Sequence, residues 1–236
     1  MVGFLMATAH PSLRVAKAQH YFGSADRYLK ANHRLAVRAS IVADLLGDTT
    51  GQRIVDLGCG DGSISAGLAG QLTLIDQSSE MIELARRRIG NRATYRCADL
   101  HDVDAEGFDI ALCIGVLAHV DDTARALAAV HRALRPGGLM ILQLTDNAQP
   151  IGKLNSFLVS LSGKLQYRTT RMDDVLAAAA GFELIECRRH FLVPAGAHRL
   201  CGAALVPIER GVAALPWLAR HGADAMLLLR KHHFTE

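Results

Sequence analysis

A short glycine-rich loop holds the residues of this sequence that are best suited to chemistry. Gly58, Gly60 and Gly62 stand at alternate positions directly after an apolar run, and the acid Asp56 precedes them. Glycines spaced in this way let the main chain turn tightly and approach a ligand without an intervening Cβ. The following segment, SISAGLAG, is predicted to be a helix whose positive end faces the loop, with Asp61 exposed in its first turn. The pattern predicts a site for a nucleotide-type ligand.

Two further acids follow the loop at the ends of apolar runs. Asp76 ends the run LTLID, 18 residues after Gly58, and a carboxylate there could accept hydrogen bonds from both hydroxyls of a ribose. Asp99 follows the next run, where it could accept from an adenine amino group while Leu100 covers the ring. A dinucleotide fingerprint would have glycine in place of Ser63, so a pyrophosphate-binding loop is disfavoured.

One histidine stands where a catalytic base could act. His119 lies five residues after Ile114, just past an apolar run that should end near the ligand. An imidazole there could take a proton from a reacting hydroxyl group. The alternative is a packing or helix-capping histidine beside Asp121 and Asp122. The sequence leaves both interpretations open.

The elements around these residues follow a regular order. Five short apolar runs alternate with amphipathic segments such as SSEMIELARRRI and DTARALAAVHRALR, the second of which is expected to end at Leu134. This alternation favours a parallel sheet with helical crossovers. Residues 148–168 are predicted to be an irregular or broken-helix insert, and Thr170 is predicted to cap the helix MDDVLAAAAG. FELIECRRHFLV and ADAMLLLRKHHF are predicted to be two further strands, with helical structure between them at residues 195–220.

The region from residue 52 to residue 147 resembles the class I S-adenosylmethionine-dependent methyltransferases, in particular the branch of ubiquinone and menaquinone biosynthesis. The matching segments are VDLGCGDGSIS, IDQSSEMIELARRR, CADL, FDIALCIGVLAHV and LRPGGLMILQLT. The resemblance implies a doubly wound, seven-stranded α/β sheet that is mostly parallel with its last strand antiparallel. S-adenosylmethionine is the implied cofactor. The resemblance places the methionine part at Asp56, Gly58, Cys59 and Gly60, its amino group at the Ile114 main chain, the ribose and adenine at Asp76, Gln77 and Met81, and the acceptor near His119.

One further pair of residues raises the question of a metal ion. Metal-dependent methyltransferases of the catechol type hold magnesium at an Asp-Asn pair, and Asp146 and Asn147 stand at the corresponding place. Those enzymes also need an acid at the end of the fourth strand, where this chain has Ile114, Gly115 and Val116. We therefore expect no metal site.

The chain is expected to be a single methyltransferase domain. Residues 1–47 would form two N-terminal helices that act as a lid, with a break at Gly23 and with Tyr21, Phe22 and Tyr28 covering an apolar pocket. Residues 48–147 would form the cofactor-binding core. Residues 148–236 would add the acceptor-side inserts and the last strands. A pair of helices packed permanently on the domain is the alternative to a lid.

Composition narrows the class of protein. Of the 236 residues, 50% are apolar and 21% are charged, the balance of an ordinary soluble enzyme. The net charge of +3 is too small and scattered to indicate nucleic acid. The five cysteines form no CxxC pair, and no apolar run is long enough for a signal peptide or a membrane span, so a cytoplasmic location is expected.

The expected function is methyl transfer to a small molecule, with a hydroxyl acceptor favoured because His119 could serve it. The apolar inserts favour a lipophilic acceptor such as a quinol, a polyketide or a lipid-linked compound. Two alternatives remain. One is a nicotinamide-dependent oxidoreductase, which Ser63 disfavours. The other is a cofactor-binding protein without catalytic activity.

Overall fold

Seven strands form one mixed sheet in the computed structural model, which describes residues 32–102, 104, 106–161, 170–192, 204–213 and 215–233. The strand order is β3-β2-β1-β4-β5-β7-β6, and β7 runs antiparallel to both of its neighbours while the others are parallel. This arrangement confirms the predicted sheet and its antiparallel last strand. The strands are β1 (Arg53–Leu57), β2 (Gln71–Asp76), β3 (Ala93–Cys97), β4 (Phe108–Cys113), β5 (Leu134–Thr145), β6 (Phe182–His190) and β7 (Asp224–Lys231).

Helices cover both faces of this sheet. Val42 of α1 and Ile82 of α2 belong to the apolar cluster on one face, whereas Leu127 of α3 and Val175 of α5 belong to the cluster on the other. Side chains alternate between the two faces along a strand, and helices cover both faces. The central strands are therefore buried on both sides and are almost wholly apolar. The helices are α1 (Asn32–Leu46), α2 (Ser79–Ile89), α3 (Thr123–Ala133), α4 (Pro150–Leu161), α5 (Met172–Ala178), α6 (Leu205–Ala213) and α7 (Pro216–Ala219).

The segment after the glycine loop differs from its prediction. SISAGLAG forms only a short 3-10 helix, Ser65–Gly67, and β2 begins soon after it. Two features tie this segment to the chain around β1. The hydroxyl of Ser65 is bound by Asp56, and a Cβ on Gly70 would lie 2.5 Å from the carbonyl oxygen of Gln52. The segment is therefore bound near the end of β1 at Asp56 and lies close to the main chain just before β1 at Gln52.

Other boundaries also differ from their predictions. Residues 148–168 were expected to be an irregular or broken-helix insert; α4 occupies residues 150–161 of them, and residues 162–168 lie outside the described residues. Thr170 does not cap α5, because it pairs with Asp146 in an isolated bridge and the helix is capped at Arg171 without a side-chain bond. Helix α3 ends at Ala133, so Leu134 is already the first residue of β5.

The predicted N-terminal helices are described only in part. Residues 1–31, which include Tyr21, Phe22 and Tyr28, lie outside the described residues. Helix α1 packs firmly on the sheet, since Val37 and Val42 are 4% and 0% exposed. Among the described helices, none has the length and apolar character needed to cross a bilayer.

Candidate functional site

The predicted ligand residues come together at the carboxyl edge of the sheet. The order β3-β2-β1-β4 brings the loops after these four parallel strands to one edge. Leu57 pairs with Ile75, and Asp76 pairs with Cys97, so the strands end at similar heights. The chain order reverses between β1 and β4, which is where open α/β sheets bind ligands.

The glycine loop folds over the end of β2. Gly58, Gly60 and Gly62 all have positive φ angles, of 75°, 54° and 72°, which other residues adopt only with strain. The N–H of Gly58 donates to the carbonyl of Ile75 at 2.8 Å. A Cβ on Gly58 would lie 2.5 Å from Cγ2 of Val116 in the loop after β4. The first glycine is therefore required for close contact between these two loops.

Asp76 links the glycine loop to the end of β2. One carboxylate oxygen accepts the N–H of Gly60 at 2.9 Å, and the other accepts the N–H of Ser78 at 2.9 Å. Burial raises the pKa of Asp76, although these hydrogen bonds oppose the shift. Each oxygen keeps a second lone pair, so the carboxylate can still receive ligand hydroxyls. Asp76 thus shapes the loop as well as offering a binding group.

Asp56 lies deeper beneath the loop. It is 3% exposed and accepts a short hydrogen bond from the hydroxyl of Ser65. Burial raises its pKa to about 7; the Ser65 hydrogen bond opposes this, and the negative charges of Asp76 and Asp61 add to it. Asp61 is not the exposed acid that the sequence suggested, since it is 1% exposed and pairs with Arg88 at 2.6 Å.

The remaining predicted cofactor residues fall into two groups, those exposed or partly exposed at the edge of the sheet and those buried inside the protein. Gln77 and Asp99 are exposed, and Leu100 and Ile114 are partly buried at the same edge. The main-chain N–H of His101 donates to Asp99 at 2.8 Å, which fixes the turn after β3. The side chains of Cys59 and Met81 are 5% and 1% exposed and pack inside the protein.

His119 lies beyond the end of β4 in a turn closed by its N–H and the carbonyl of Val116. Burial lowers its pKa to about 4, and the positive charge of Arg38 contributes. Arg38 belongs to α1, donates to Asp224 at 2.9 Å, and places Nη1 3.6 Å from the position of a Cβ on Gly115. The part of the candidate site beyond β4 therefore contains a neutral imidazole and a guanidinium group.

The carboxylate of Asp146 is already occupied by groups of the protein. Arg189 donates to one oxygen at 2.7 Å, and the N–H of Ala148 donates to the other at 3.0 Å. Burial acts to raise the pKa of Asp146, but these partners outweigh burial and hold it below its ordinary value. The structure therefore assigns Asp146 to an ion pair. Within the described ranges, no group of three side chains has the arrangement of a metal site.

Comparison with known proteins matches part of the chain to a domain family. Residues 55–142 match a family model described as a methyltransferase domain. A ubiquinone biosynthesis O-methyltransferase from Alkalilimnicola ehrlichii is 35% identical over 136 residues, which are 54% of this chain and 53% of that protein. Residues 55–142 therefore carry a methyltransferase domain, and the similarities support a class I S-adenosylmethionine-dependent enzyme. The resemblance predicted from the sequence and its cofactor are confirmed.

Solved structures show the same methyltransferase fold. A Thermotoga maritima S-adenosylmethionine-dependent methyltransferase, a possible histamine N-methyltransferase, has a TM-score of 0.67 at 21% identity, covering 91% of this chain and 99% of that one. The magnesium protoporphyrin IX methyltransferase of Synechocystis with bound SAH has a TM-score of 0.67 at 17% identity, covering 92% and 99%. The chain spans about half or less of the length of the curated relatives it matches.

One residue beside the candidate site was not predicted from the sequence. Arg38 stands on the apolar face of α1, three residues after Leu35 and four before Val42. A charged side chain at such a position is removed from most of the solvent and needs a partner. The side chain of Arg38 is 16% exposed. The position of Arg38 among the apolar residues of α1 was therefore a signal that it is partly buried. The sequence does not reveal its partner, because Asp224 is 186 residues away from Arg38.

Proposed function

We propose that this methyltransferase transfers the methyl group of S-adenosylmethionine to an oxygen atom of a lipophilic small molecule. The curated relatives named as ubiquinone biosynthesis O-methyltransferases support an oxygen acceptor. The small net charge of +3 supports a small molecule rather than nucleic acid. The proposal treats the chain as one catalytic domain, with the N-terminal residues 1–47 closing the site over the acceptor.

The charge of the glycine loop is the observation that carries the choice of cofactor. Asp56 and Asp76 receive hydrogen bonds from the neutral donors Ser65, Gly60 and Ser78. S-adenosylmethionine carries a net positive charge and would stabilise these carboxylates, whereas the pyrophosphate of a nicotinamide dinucleotide would be repelled. The 3-10 helix after the loop also lacks the α-helical N-terminus that normally holds a pyrophosphate. A nicotinamide-dependent oxidoreductase is therefore the weaker alternative.

The proposed cofactor contacts follow from these positions. Asp76 would bind the ribose hydroxyls, with Gln77 beside them. Asp99 and Leu100 would meet the adenine at the end of β3. The methionine part would lie along Asp56 and the main chain of residues 58–60, between the sheet and the turn at Ile114. Arg38 would bind its carboxylate, because a guanidinium group matches the geometry of a carboxylate.

His119 is the proposed base. In the transfer step the acceptor oxygen attacks the methyl carbon in line, the bond from carbon to sulfur breaks, and the hydroxyl proton passes to the imidazole. A pKa of about 4 keeps His119 neutral at neutral pH, so it is able to accept a proton. Such a weak base suits an acidic hydroxyl such as a phenol better than an aliphatic alcohol. The nearby charge of Arg38 would lower the pKa of that hydroxyl further.

Exposed apolar side chains near the site support a lipophilic acceptor. Phe157 on α4 and Trp217 on α7 are 60% and 62% exposed. Helix α4 follows the end of β5 and α7 precedes the start of β7, and Thr145 and Asp224 pair where those two strand ends meet. Helix α4 therefore begins, and helix α7 ends, a few residues from the sheet edge that is proposed to carry the cofactor site, so their exposed apolar side chains could contact an apolar acceptor there.

Labelled S-adenosylmethionine tests the proposal. Purified protein is incubated with a panel of phenols, prenylated catechols, aliphatic alcohols and amines, and methylated products are identified by mass spectrometry. We expect O-methylated products, with phenols favoured. His119→Ala should lower turnover about 10²-fold, whereas the matched control His232→Ala, in the exposed C-terminal segment, should not. Cofactor binding without product from any acceptor would instead favour a protein that binds the cofactor without catalysis.

A further inference from the structure

Asp224 lies where helix α1 meets the carboxyl edge of the sheet. It is the first residue of β7 and pairs in register with Thr145 of β5 and His190 of β6. Its side chain is 4% exposed. One oxygen accepts the hydroxyl of Thr145 at 2.7 Å, the other accepts Nη2 of Arg38 at 2.9 Å, and Nε2 of His190 is 4.0 Å away. Asp224 therefore joins α1 to three strands.

The guanidinium group of Arg38 is only partly used by this contact. Nη2 donates to Asp224, and Nη1 lies next to Gly115. The Nε–H group is buried and has no hydrogen-bond partner among the described residues. Buried N–H groups of arginine are normally satisfied, so an unused donor at the edge of a ligand site indicates that a ligand acceptor belongs there.

The turn next to Arg38 is also held by a side chain of β5. The side-chain oxygen of Gln143 on β5 accepts the N–H of Gly115 at 2.9 Å, and Gln143 is itself 4% exposed. Gly115 has a φ angle of 78°, so this turn has a conformation that glycine favours. Ile114, whose main chain is the proposed contact of the cofactor amino group, directly precedes it. The turn thus lies between a side chain of β5 and a side chain of α1.

We propose that Asp224 is a positioning residue that fixes Arg38 against the turn at Gly115, so that the seating of α1 completes the methionine end of the cofactor site. Asp224 does not touch the cofactor and acts through Arg38. Because binding and seating share this contact, each stabilises the other by the same free energy. The inference rests on the proposed function, since it takes S-adenosylmethionine as the ligand.

Comparing two ligands distinguishes a positioning role of Asp224 from a general effect on protein stability. S-adenosylhomocysteine carries the amino-acid part, whereas 5′-methylthioadenosine has the same adenosine without it. Asp224→Asn should weaken S-adenosylhomocysteine binding by calorimetry by about tenfold or more, and methylthioadenosine by less than about twofold. The matched control is Asp109→Asn, an acid near the start of β4 that binds Arg135 and the N–H of Arg53. It should leave both affinities unchanged even if it lowers the melting temperature.

A double-mutant cycle tests whether Asp224 acts through Arg38. Arg38→Gln alone should weaken S-adenosylhomocysteine, and adding Asp224→Asn should cost little more. Additive losses, or an equal loss for both ligands, would overturn the inference. If Asp224→Asn fails to fold, Thr145→Val removes one of the two hydrogen bonds and should show the same selective loss to a smaller degree.

Hydrogen exchange provides a second readout of the coupling. S-adenosylhomocysteine should slow amide exchange in α1 of the wild-type protein and should slow it less in Asp224→Asn. If the wild-type protein binds neither ligand, the proposed function itself fails. If it binds both and Asp224→Asn binds them equally well, only the role of Asp224 is refuted.

Discussion

Replacing Asp56 with Asn should stabilise the protein while weakening its hold on the cofactor. Asp56 is buried, and burial raises its pKa from 3.8 to about 7. At pH 8 the side chain is ionised in both the folded and the unfolded chain, so folding must bury a charge. A shift of this size corresponds to a cost of about 4 kcal/mol. Asn has nearly the same shape, still accepts the hydroxyl of Ser65, and carries no charge.

The sign of the pH dependence follows from the raised pKa. Between pH 4 and pH 7 the folded protein holds a proton on Asp56 that the unfolded chain has released. Wild-type stability should therefore fall as the pH rises through this window and level off above it. The advantage of Asp56→Asn should be largest at pH 8, where about 4 kcal/mol is the upper limit, and shrink to about 1.5 kcal/mol at pH 5.

Denaturant unfolding of the apo protein at pH 8 and pH 5 measures this advantage. Asp61→Asn is the matched control, because Asp61 is equally buried but pairs with Arg88 at 2.6 Å. Its loss should destabilise the protein. Equal stability of wild type and Asp56→Asn at pH 8, or a difference just as large at pH 5, would refute the reasoning.

The same variant should lose the pH dependence of cofactor binding. A cationic ligand favours ionised Asp56, so wild-type affinity for S-adenosylmethionine should rise several-fold between pH 6 and pH 8. Asp56→Asn should bind more weakly at pH 8 and show little change across this range. Calorimetry at the two pH values provides both comparisons.

Three further predictions concern the rest of the site. Asp76→Asn should weaken S-adenosylmethionine by about 1.5 to 3 kcal/mol, because it loses charged hydrogen bonds and loosens the loop at Gly60; unchanged affinity by calorimetry would contradict its role. At saturating cofactor, the acid limb of kcat should lie near pH 4, as the lowered pKa of His119 requires, and an acid limb near pH 6.5 would exclude this buried imidazole as the base. Deletion of residues 1–31 should leave a cooperative unfolding transition and weak cofactor binding but remove nearly all turnover, whereas an insoluble product would mean that the segment is part of the core.

The sheet could be predicted because each strand has a local signal in the sequence. Runs such as LTLID and FDIALC are apolar, short and separated by amphipathic helices, and parallel pairing follows from those crossovers. The segment after the glycine loop could not be predicted in the same way. Its path involves a hydrogen bond of Ser65 with Asp56 and a close approach of Gly70 to Gln52, which form only in the folded chain.

The glycine loop and its neighbouring acid could also be predicted from local patterns in the sequence. The position of Arg38 near His119 could not. Gly58, Gly60 and Asp76 follow successive strands that pair side by side, so their spacing in the sequence becomes proximity at one edge. Arg38 lies on helix α1, which precedes the sheet in the chain. Its partner Asp224 lies 186 residues further along the chain. No local pattern specifies a pair separated by that distance.

The pairing of the acids at this edge of the sheet itself distinguishes structural groups from ligand groups. Three buried carboxylates have an arginine partner within 3 Å, namely Asp61 with Arg88, Asp146 with Arg189 and Asp224 with Arg38. Asp56 and Asp76 receive only neutral donors in the described part of the chain. A buried carboxylate without a cation costs stability unless something else supplies the charge. These two acids end the strands next to the glycine loop, where the cofactor is proposed to bind, so a cationic ligand there would offset their destabilising charge.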